Sequence, residues 1–189
     1  MHRNPLEVFI MAQTKRKKKF FNVELPLIKK TTQLQAYEIK ELENKFIKYD
    51  LTRIFKGKAM IITLKTKLEG EEILTFPKEL RLLPYYLRRM VRKGTNYVED
   101  SFSIECEDST IRIKPFLVTR RKVSRAVRKA LRNKAKEELT AWAKEKTTEE
   151  IFDETLKSKI QRELSLKLKK IYPLSLCEIR VLKVEKDKN

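Results

Sequence analysis

Seven cations sit at spacings that let them act together. Wound as a helix at ~100° per residue, the stretch Thr119–Lys136 (TRRKVSRAVRKALRNKAK) gathers Arg121, Lys122, Arg125, Arg128, Lys129, Arg132 and Lys136 within an arc of roughly 120°. Arg120 immediately precedes them in sequence. The chemistry such a face offers is charge-assisted hydrogen bonding to phosphate oxygens, bidentate wherever Arg supplies its planar fork. The stretch holds nine Lys or Arg and no Asp or Glu, so the face repels itself unless a polyanion supplies the counter-charge. The plain alternative is a solvated helix face, but solvated faces normally mix the two signs.

The design recurs. In Pro84–Lys93, Arg88, Arg89, Arg92 and Lys93 share one helical face and Tyr86, Leu87, Met90 and Val91 the other, with no acid between Leu80 and Val98. A third cationic group is the run Lys15, Arg16, Lys17, Lys18 and Lys19. Such a run is disordered by self-repulsion when free and orders against phosphates, and the same pattern fits a nuclear-localisation signal.

Other chemistry has little to stand on. His2 is the only histidine and lies near the N-terminal end, a poor place for a general base. Gly57, Gly70 and Gly94 are the only glycines, too few and too scattered for a phosphate-cradling loop. Cys106 and Cys177 are seventy-one residues apart and have no histidine to activate them. Neither a zinc site nor a thiol nucleophile is expected, and no cofactor is implied. The two thiols read as small buried hydrophobes in a reducing cytosol. Glu99–Asp100 and Glu105/Glu107 are the carboxylates an acid–base mechanism would use, and the last pair falls on the outward side of a strand pattern.

These groups must be held by a mixed α+β framework. Phe20–Ile28 reads as a first strand interrupted at Pro26, hence at an edge or bulge. Thr31–Ile54 mixes alternating and helical patterns. Ala59–Leu68 is a strand with Gly70 as its turn, and Glu72–Phe76 is a shorter one. Pro84 suits the first turn of the helix to Lys93 and Gly94 its C-terminal cap. Ser101–Glu107 alternates with Phe102, Ile104 and Cys106 inward, Asp108–Ser109 turns, and Ile111 and Ile113 return. Pro115 marks a bulge or an edge. The main basic helix then runs from Thr119 to about Lys146 on an apolar stripe of Val123, Ala126, Val127, Ala130 and Leu131, continued by Leu139 and Trp142. Thr147 and Glu150 have capping-box spacing. Ile151, Phe152, Leu156, Ile160, Leu164 and Leu168 carry helical periodicity to Ile171, with a break near Ser158. Pro173 ends it, and Cys177–Val184 is a last strand.

In domain terms, residues 1–19 form a disordered basic tail and 20–189 one α+β RNA-binding domain: β-rich over 20–118, helical over 119–172, with a final strand at 175–185. Met11 offers an alternative start to Met1. The formal charge is +19, and its distribution decides more than its size: residues 1–136 carry +18 and residues 137–189 only +1. That imbalance fits nucleic acid first and an anionic membrane surface second. No apolar run approaches the ~20 residues of a membrane span, and Leu6–Ala12 is too short and poorly flanked for a signal peptide. The expected compartment is the cytosol. Aromatics are interleaved with the cations (Phe20, Phe21, Tyr85, Tyr86, Tyr97 and Phe116). They suit stacking on unpaired bases, although their spacings place most of them in the core. The basic–Gly–aromatic signature of an RNA-recognition motif is absent, which favours backbone-led recognition of a folded RNA.

Three segments together resemble a known family, the small-subunit ribosomal proteins shared by archaea and eukaryotes and absent from bacteria (the "S three Ae", or "eS one", family). They are Arg88–Glu107 (RRMVRKGTNYVEDSFSIECE), Ile111–Lys129 (IRIKPFLVTRRKVSRAVRK) and Lys169–Val184 (KKIYPLSLCEIRVLKV), whose Ile-Tyr-Pro-Leu is the most diagnostic. Their order and spacing match over roughly residues 55–185, and the lysine-rich Lys15–Lys19 is similar to the family's start. Asp108–Ser109 departs from the family's Asp-Gly turn, the connection after Pro115 is shorter, and the N-terminal quarter matches poorly. The short, Lys-rich form looks archaeal.

The resemblance implies a small β-barrel with flanking helices, on the platform of the small subunit near the messenger exit. The partners it implies are small-subunit ribosomal RNA, neighbouring ribosomal proteins and, near the exit, the messenger; it implies no membrane and no catalytic residues. The expectation is a ribosome-resident structural protein in the cytoplasm. Its rivals are an RNA chaperone or assembly factor and, further off, an RNA-processing enzyme using Glu105 and Glu107.

Overall fold

The run of β-branched and large apolar residues before Gly70 forms the first long strand of the main sheet. In the computed structural model, which describes residues 17–55, 57–70 and 72–187, that strand is β4 (Met60–Glu69). Met60, Ile62, Leu64 and Thr66 are buried on one side while their neighbours stay partly exposed, the period-two pattern of a strand with one packed face. Gly70 turns at φ +67, a value that costs a residue without Cβ nothing, and β5 (Glu72–Leu82) returns. β3 (Phe46–Asp50) lies antiparallel on the outer side of β4, from Phe46 opposite Lys65 to Asp50 opposite Ile61.

The centre of the sheet is a long antiparallel pair. β8 (Ser109–Thr119) runs against β9 (Leu174–Asp187) from Ser109 opposite Asp187 to Thr119 opposite Leu174. Pro115 lacks an N–H to give the ladder, and the register shifts between Lys114 and Pro115, the bulge its sequence position announces. β7 (Phe102–Glu105) and β6 (Tyr97–Glu99) lie along the other edge of β8. The expected hairpin is therefore present: Phe102 faces Ile113, Ile104 faces Ile111, and Cys106 N–H closes the turn on Ser109 O at 2.8 Å.

Strand order is β3–β4–β5–β9–β8–β6, with β7 also on β8. This corrects the barrel. The two ends of the order, β3 and β6, are not paired to each other, so the sheet is open. Its short outer strands limit the exposed edges without closing them. β1 (Lys19–Leu25) and β2 (Lys30–Ala36) form a separate antiparallel ribbon. The first strand thus stops at Leu25, because Pro26 begins a turn in which Ile28 N–H reaches Leu25 O and Lys29 adopts φ +54.

Among the described residues four α-helices complete the fold: α1 (Pro84–Met90), α2 (Arg125–Lys144), α3 (Thr148–Leu156) and α4 (Lys159–Leu168). The capping box forms as spaced: Glu150 N–H donates to Thr147 Oγ1, and Thr147 N–H to Glu150 Oε2. Ser158 sits at φ +57 and breaks the helical run where expected. Ile151, Phe152, Leu156, Ile160, Leu164 and Leu168 are all buried, and α4 packs on both α2 and β9.

The chain divides into two compact units. One holds the described residues up to Lys45 together with Thr66–Thr75, and the other Phe46–Lys65 together with Phe76 onward. In the first, Thr75 Oγ1 donates to Glu24 O at 2.9 Å, and Thr66 Oγ1 donates to Leu42 O. The second contains all four helices and most of the main sheet.

Candidate nucleic-acid interface

α1 is placed by what it buries. Pro84 occupies the first helical position, where its missing N–H is not needed, and Tyr86 and Leu87 turn inward. Arg88 and Arg89 remain exposed. The helix stops at Met90, three residues before the expected end, with Val91 extended. Gly94 is consequently not its cap. It lies at φ +88 in a tight turn in which Thr95 N–H donates to Arg92 O at 3.2 Å, and Arg92 and Lys93 are exposed on that turn.

α2 also starts later than the residues suggest. Thr119 is the fully buried last residue of β8, and Arg120, Arg121 and Lys122 are exposed on the turn that follows. The helix begins at Arg125, where Ser124 Oγ accepts the N–H of Val127 at 3.4 Å. Its buried stripe is Leu131, Ala135, Leu139 and Ala143. This corrects the apolar face: Ala126 and Ala130 are exposed, Val123 and Val127 half-buried, and only Leu131 of the five is in the core. The first two turns of α2 therefore stand largely clear of the core, presenting Arg125, Lys129 and Arg132 to solvent. Arg128 is half-buried, and its Nε is sealed from solvent without a hydrogen-bond partner. Lys136 is exposed and lies over the Phe102 ring, 5.8 Å from its centre.

Asn96 and Thr119 bring the two basic segments together. Thr119 N–H donates to Asn96 O at 2.9 Å, and Thr119 Oγ1 accepts Asn96 N–H at 3.0 Å. The Thr119 hydroxyl donates to Arg121 O at 2.7 Å. The Asn96 side-chain oxygen accepts Val123 N–H at 2.8 Å. The turn carrying Arg92 and Lys93 is thus tied to the turn carrying Arg120, Arg121 and Lys122. Neither Asn96 nor Thr119 stood out in the sequence; the available signal was an Asn two residues after a turn glycine, a residue prone to bond nearby backbone.

Electrostatics single out this end of the unit. None of Arg88, Arg89, Arg92, Lys93, Arg120, Arg121, Lys122, Arg125, Arg128, Lys129, Arg132 or Lys136 forms an ion pair among the described residues. The cations further along are held: Lys134 by Glu137 and Glu138, Lys146 by Glu154, Lys157 by Asp153 and Lys167 by Glu138. The first turn of α2 contains no acid. Cations gathered at the positive end of a helix oppose its dipole, an arrangement that favours an anion at that end.

The remaining candidates are elsewhere. Lys17, Lys18 and Lys19 belong to the other unit and are exposed, Lys18 over the Tyr37 ring at 5.6 Å; Lys15 and Arg16 lie outside the described residues. Glu105 and Glu107 are exposed on and beside β7. Burial, and next to it the Glu178 carboxylate, pushes the Cys177 thiol up to about 12, far from a nucleophile's range. Among the described residues no cluster of three or more His, Cys, Asp or Glu is placed to hold a metal, and no helix is long and apolar enough to cross a membrane. Of the six interleaved aromatics, Tyr86 and Phe116 are buried and Phe21 half-buried, whereas Phe20, Tyr85 and Tyr97 are exposed; the expectation that most are core residues holds for only two of them.

Comparison with known proteins gives the chain's relatives. The chain is 28% identical over 121 residues to the small ribosomal subunit protein eS1 of Nanoarchaeum equitans, and 35% identical over 95 residues to that of Methanothermobacter thermautotrophicus. It is 29% identical over 140 residues to the eS1 protein of Pyrobaculum aerophilum. The matches cover 64%, 50% and 73% of this chain and 61%, 49% and 63% of those proteins, so the chain spans from half to under two thirds of each relative's length. The model of the Ribosomal S3Ae family matches residues 11–188, and the chain belongs to that family.

Proposed function

We propose that this chain is a non-enzymatic structural constituent of the small ribosomal subunit, and hence of the cytoplasm, that binds small-subunit ribosomal RNA. The observation that carries the reading is the end of the second unit where α1, the Asn96–Thr119 junction and the start of α2 converge. A dozen Lys and Arg collect there with no carboxylate partner. A charge array of this kind is poorly tolerated by an isolated domain and well suited to phosphates held at fixed spacing. Family membership and the archaeal relatives named for the small subunit support the same reading. Arg88, Arg89, Arg92, Lys93, Arg120, Arg121, Lys122, Arg125, Lys129, Arg132 and Lys136 contact the RNA backbone, Arg128 contributes from its half-buried position, and the Lys15–Lys19 run threads between RNA segments. Residues from 20 onward act as one RNA-binding domain. The near-neutral last third faces neighbouring ribosomal proteins, and the site on the subunit is the platform near the messenger exit.

Sedimentation of a native lysate at low and high salt tests this. Co-migration of the protein with mature small subunits at both salts is the expected result. Appearance only with immature particles would instead make it an assembly factor, and a free protein at low salt would remove the ribosomal reading altogether.

A further inference from the structure

Beside the cationic end lies an open groove of about 410 Å³ whose chemistry differs from that of a phosphate contact. Its volume falls in the range of small-ligand sites, about 300–1,000 Å³. Tyr97, on the edge strand β6, stacks on Phe116 with ring centres 5.9 Å apart and planes 21° from parallel. Phe116 is buried, yet Tyr97 is 54% exposed. One side of the Tyr97 ring is thus supported by the core while much of the residue is open to a ligand. Leu87 and Val91 supply an apolar wall. Arg88 and Arg180 line the groove as its cations, and Arg180 Nη1 donates to Glu99 Oε2 at 3.1 Å. The other Glu99 oxygen, Oε1, has no partner among the described residues.

We infer that this groove receives a single unpaired RNA base, one bearing an exocyclic amine, stacked on Tyr97. This rests on the RNA-binding reading given above. A flat exposed ring braced from behind is a stacking platform, and unpaired bases are recognised by such rings and by guanidinium planes. Charge selects the occupant. The groove shares α1 with Arg88 and Arg89, neither of which has a carboxylate partner, so a ligand that carries its own phosphates is favoured over an apolar peptide. Glu99 Oε1 accepts an N–H, as a carboxylate accepts from cytosine N4, which disfavours uracil. Shape-led backbone recognition therefore gains one point of base contact at its margin.

The test uses the full chain and two RNA hairpins, one fully paired and one with a single bulged 2-aminopurine, a fluorescent adenine analogue that carries an exocyclic amine and is quenched on stacking. The bulged hairpin is expected to bind roughly 5- to 150-fold tighter, the worth of one base stacked on an aromatic ring, with its fluorescence quenched. Tyr97→Leu should abolish both the preference and the quench while leaving the salt dependence of binding unchanged. Tyr97→Phe, which keeps the ring, should retain them. Equal, salt-dependent binding of the two hairpins with an unquenched probe would overturn the base site and leave the RNA-binding reading standing. A quench that survives in Tyr97→Leu would place the stacking elsewhere and also overturn it. Absence of salt-dependent binding to either hairpin would remove the RNA-binding reading, and the base site with it.

Discussion

Asn96 ties the two basic turns together. Its Oδ1 is the acceptor for Val123 N–H, and its backbone pairs with Thr119 through both N–H and C=O. Asn96→Ala leaves Val123 N–H unpaired in a half-buried turn and should cost about 1–2 kcal/mol, read as a lower urea midpoint at unchanged slope. Asn96→Asp keeps an acceptor oxygen and should restore most of that loss. Cys177 gives a second test at this scale. The residue is half-buried, and desolvation, with the Glu178 carboxylate next to it, pushes its thiol up to about 12, so it should react slowly with iodoacetamide at pH 8 in the native protein and faster once urea unfolds it; native labelling as fast as that of the unfolded chain would contradict this. Residue types were readable in advance where chemistry alone decides exposure, as for the cations. They failed where the partner is distant in sequence. Arg128 is half-buried because a long apolar stem packs as readily as it extends. The exposure of Tyr97 was not readable because a three-residue strand carries too few positions for alternation to show which side faces inward.

Helix ends were the least readable feature of the elements, and the reason is physical. Helical periodicity extends back to Thr119, but β8 pairs with β9 as far as Leu174 and keeps Thr119 in the sheet, so the helix waits for the Ser124 cap. At Thr147 local and tertiary signals agree, and the box forms where its spacing puts it. Thr147→Ala should therefore destabilise by about 1 kcal/mol, visible as a lower thermal midpoint. The α2–α4 contact adds a dependence on pH. Lys167, and next to it Lys134, hydrogen-bond Glu138 and hold its carboxyl below the ordinary range. A folded-state value depressed in this way stabilises the fold above the ordinary carboxyl range, about pH 4 to 5, and the contribution is lost as pH falls through the lowered value. Wild type should thus exceed Glu138→Gln in stability at pH 7, and the gap should close toward pH 3; a gap that persists or widens in acid would reverse the sign and refute the pairing.

For the whole molecule, what the sequence could not convey was closure. Whether a sheet becomes a barrel depends on pairing between its two outermost strands, here β3 and β6, about fifty residues apart in sequence, and no local pattern encodes that contact. The charge partition, in contrast, was readable from composition, and the structure refines it: cations without carboxylate partners gather around α1 and the start of α2, while Lys134, Lys157 and Lys167 are neutralised. Total charge and local charge then make opposite predictions for RNA binding. If counterion release at the converged end drives affinity, replacing Arg88, Arg89, Arg92 and Lys93 by Gln should reduce the slope of log affinity against log salt by roughly 0.7–0.9 per lost phosphate contact. Replacing Lys134, Lys157 and Lys167 by Gln removes nearly as much charge. That set should lower the melting temperature, because four ion pairs go, and leave the salt slope near the wild-type value. Filter binding of a structured small-subunit RNA fragment across a salt series separates the two. Equal losses of slope in both sets would mean that the RNA responds to net charge alone, and the geometric assignment of the interface would fall.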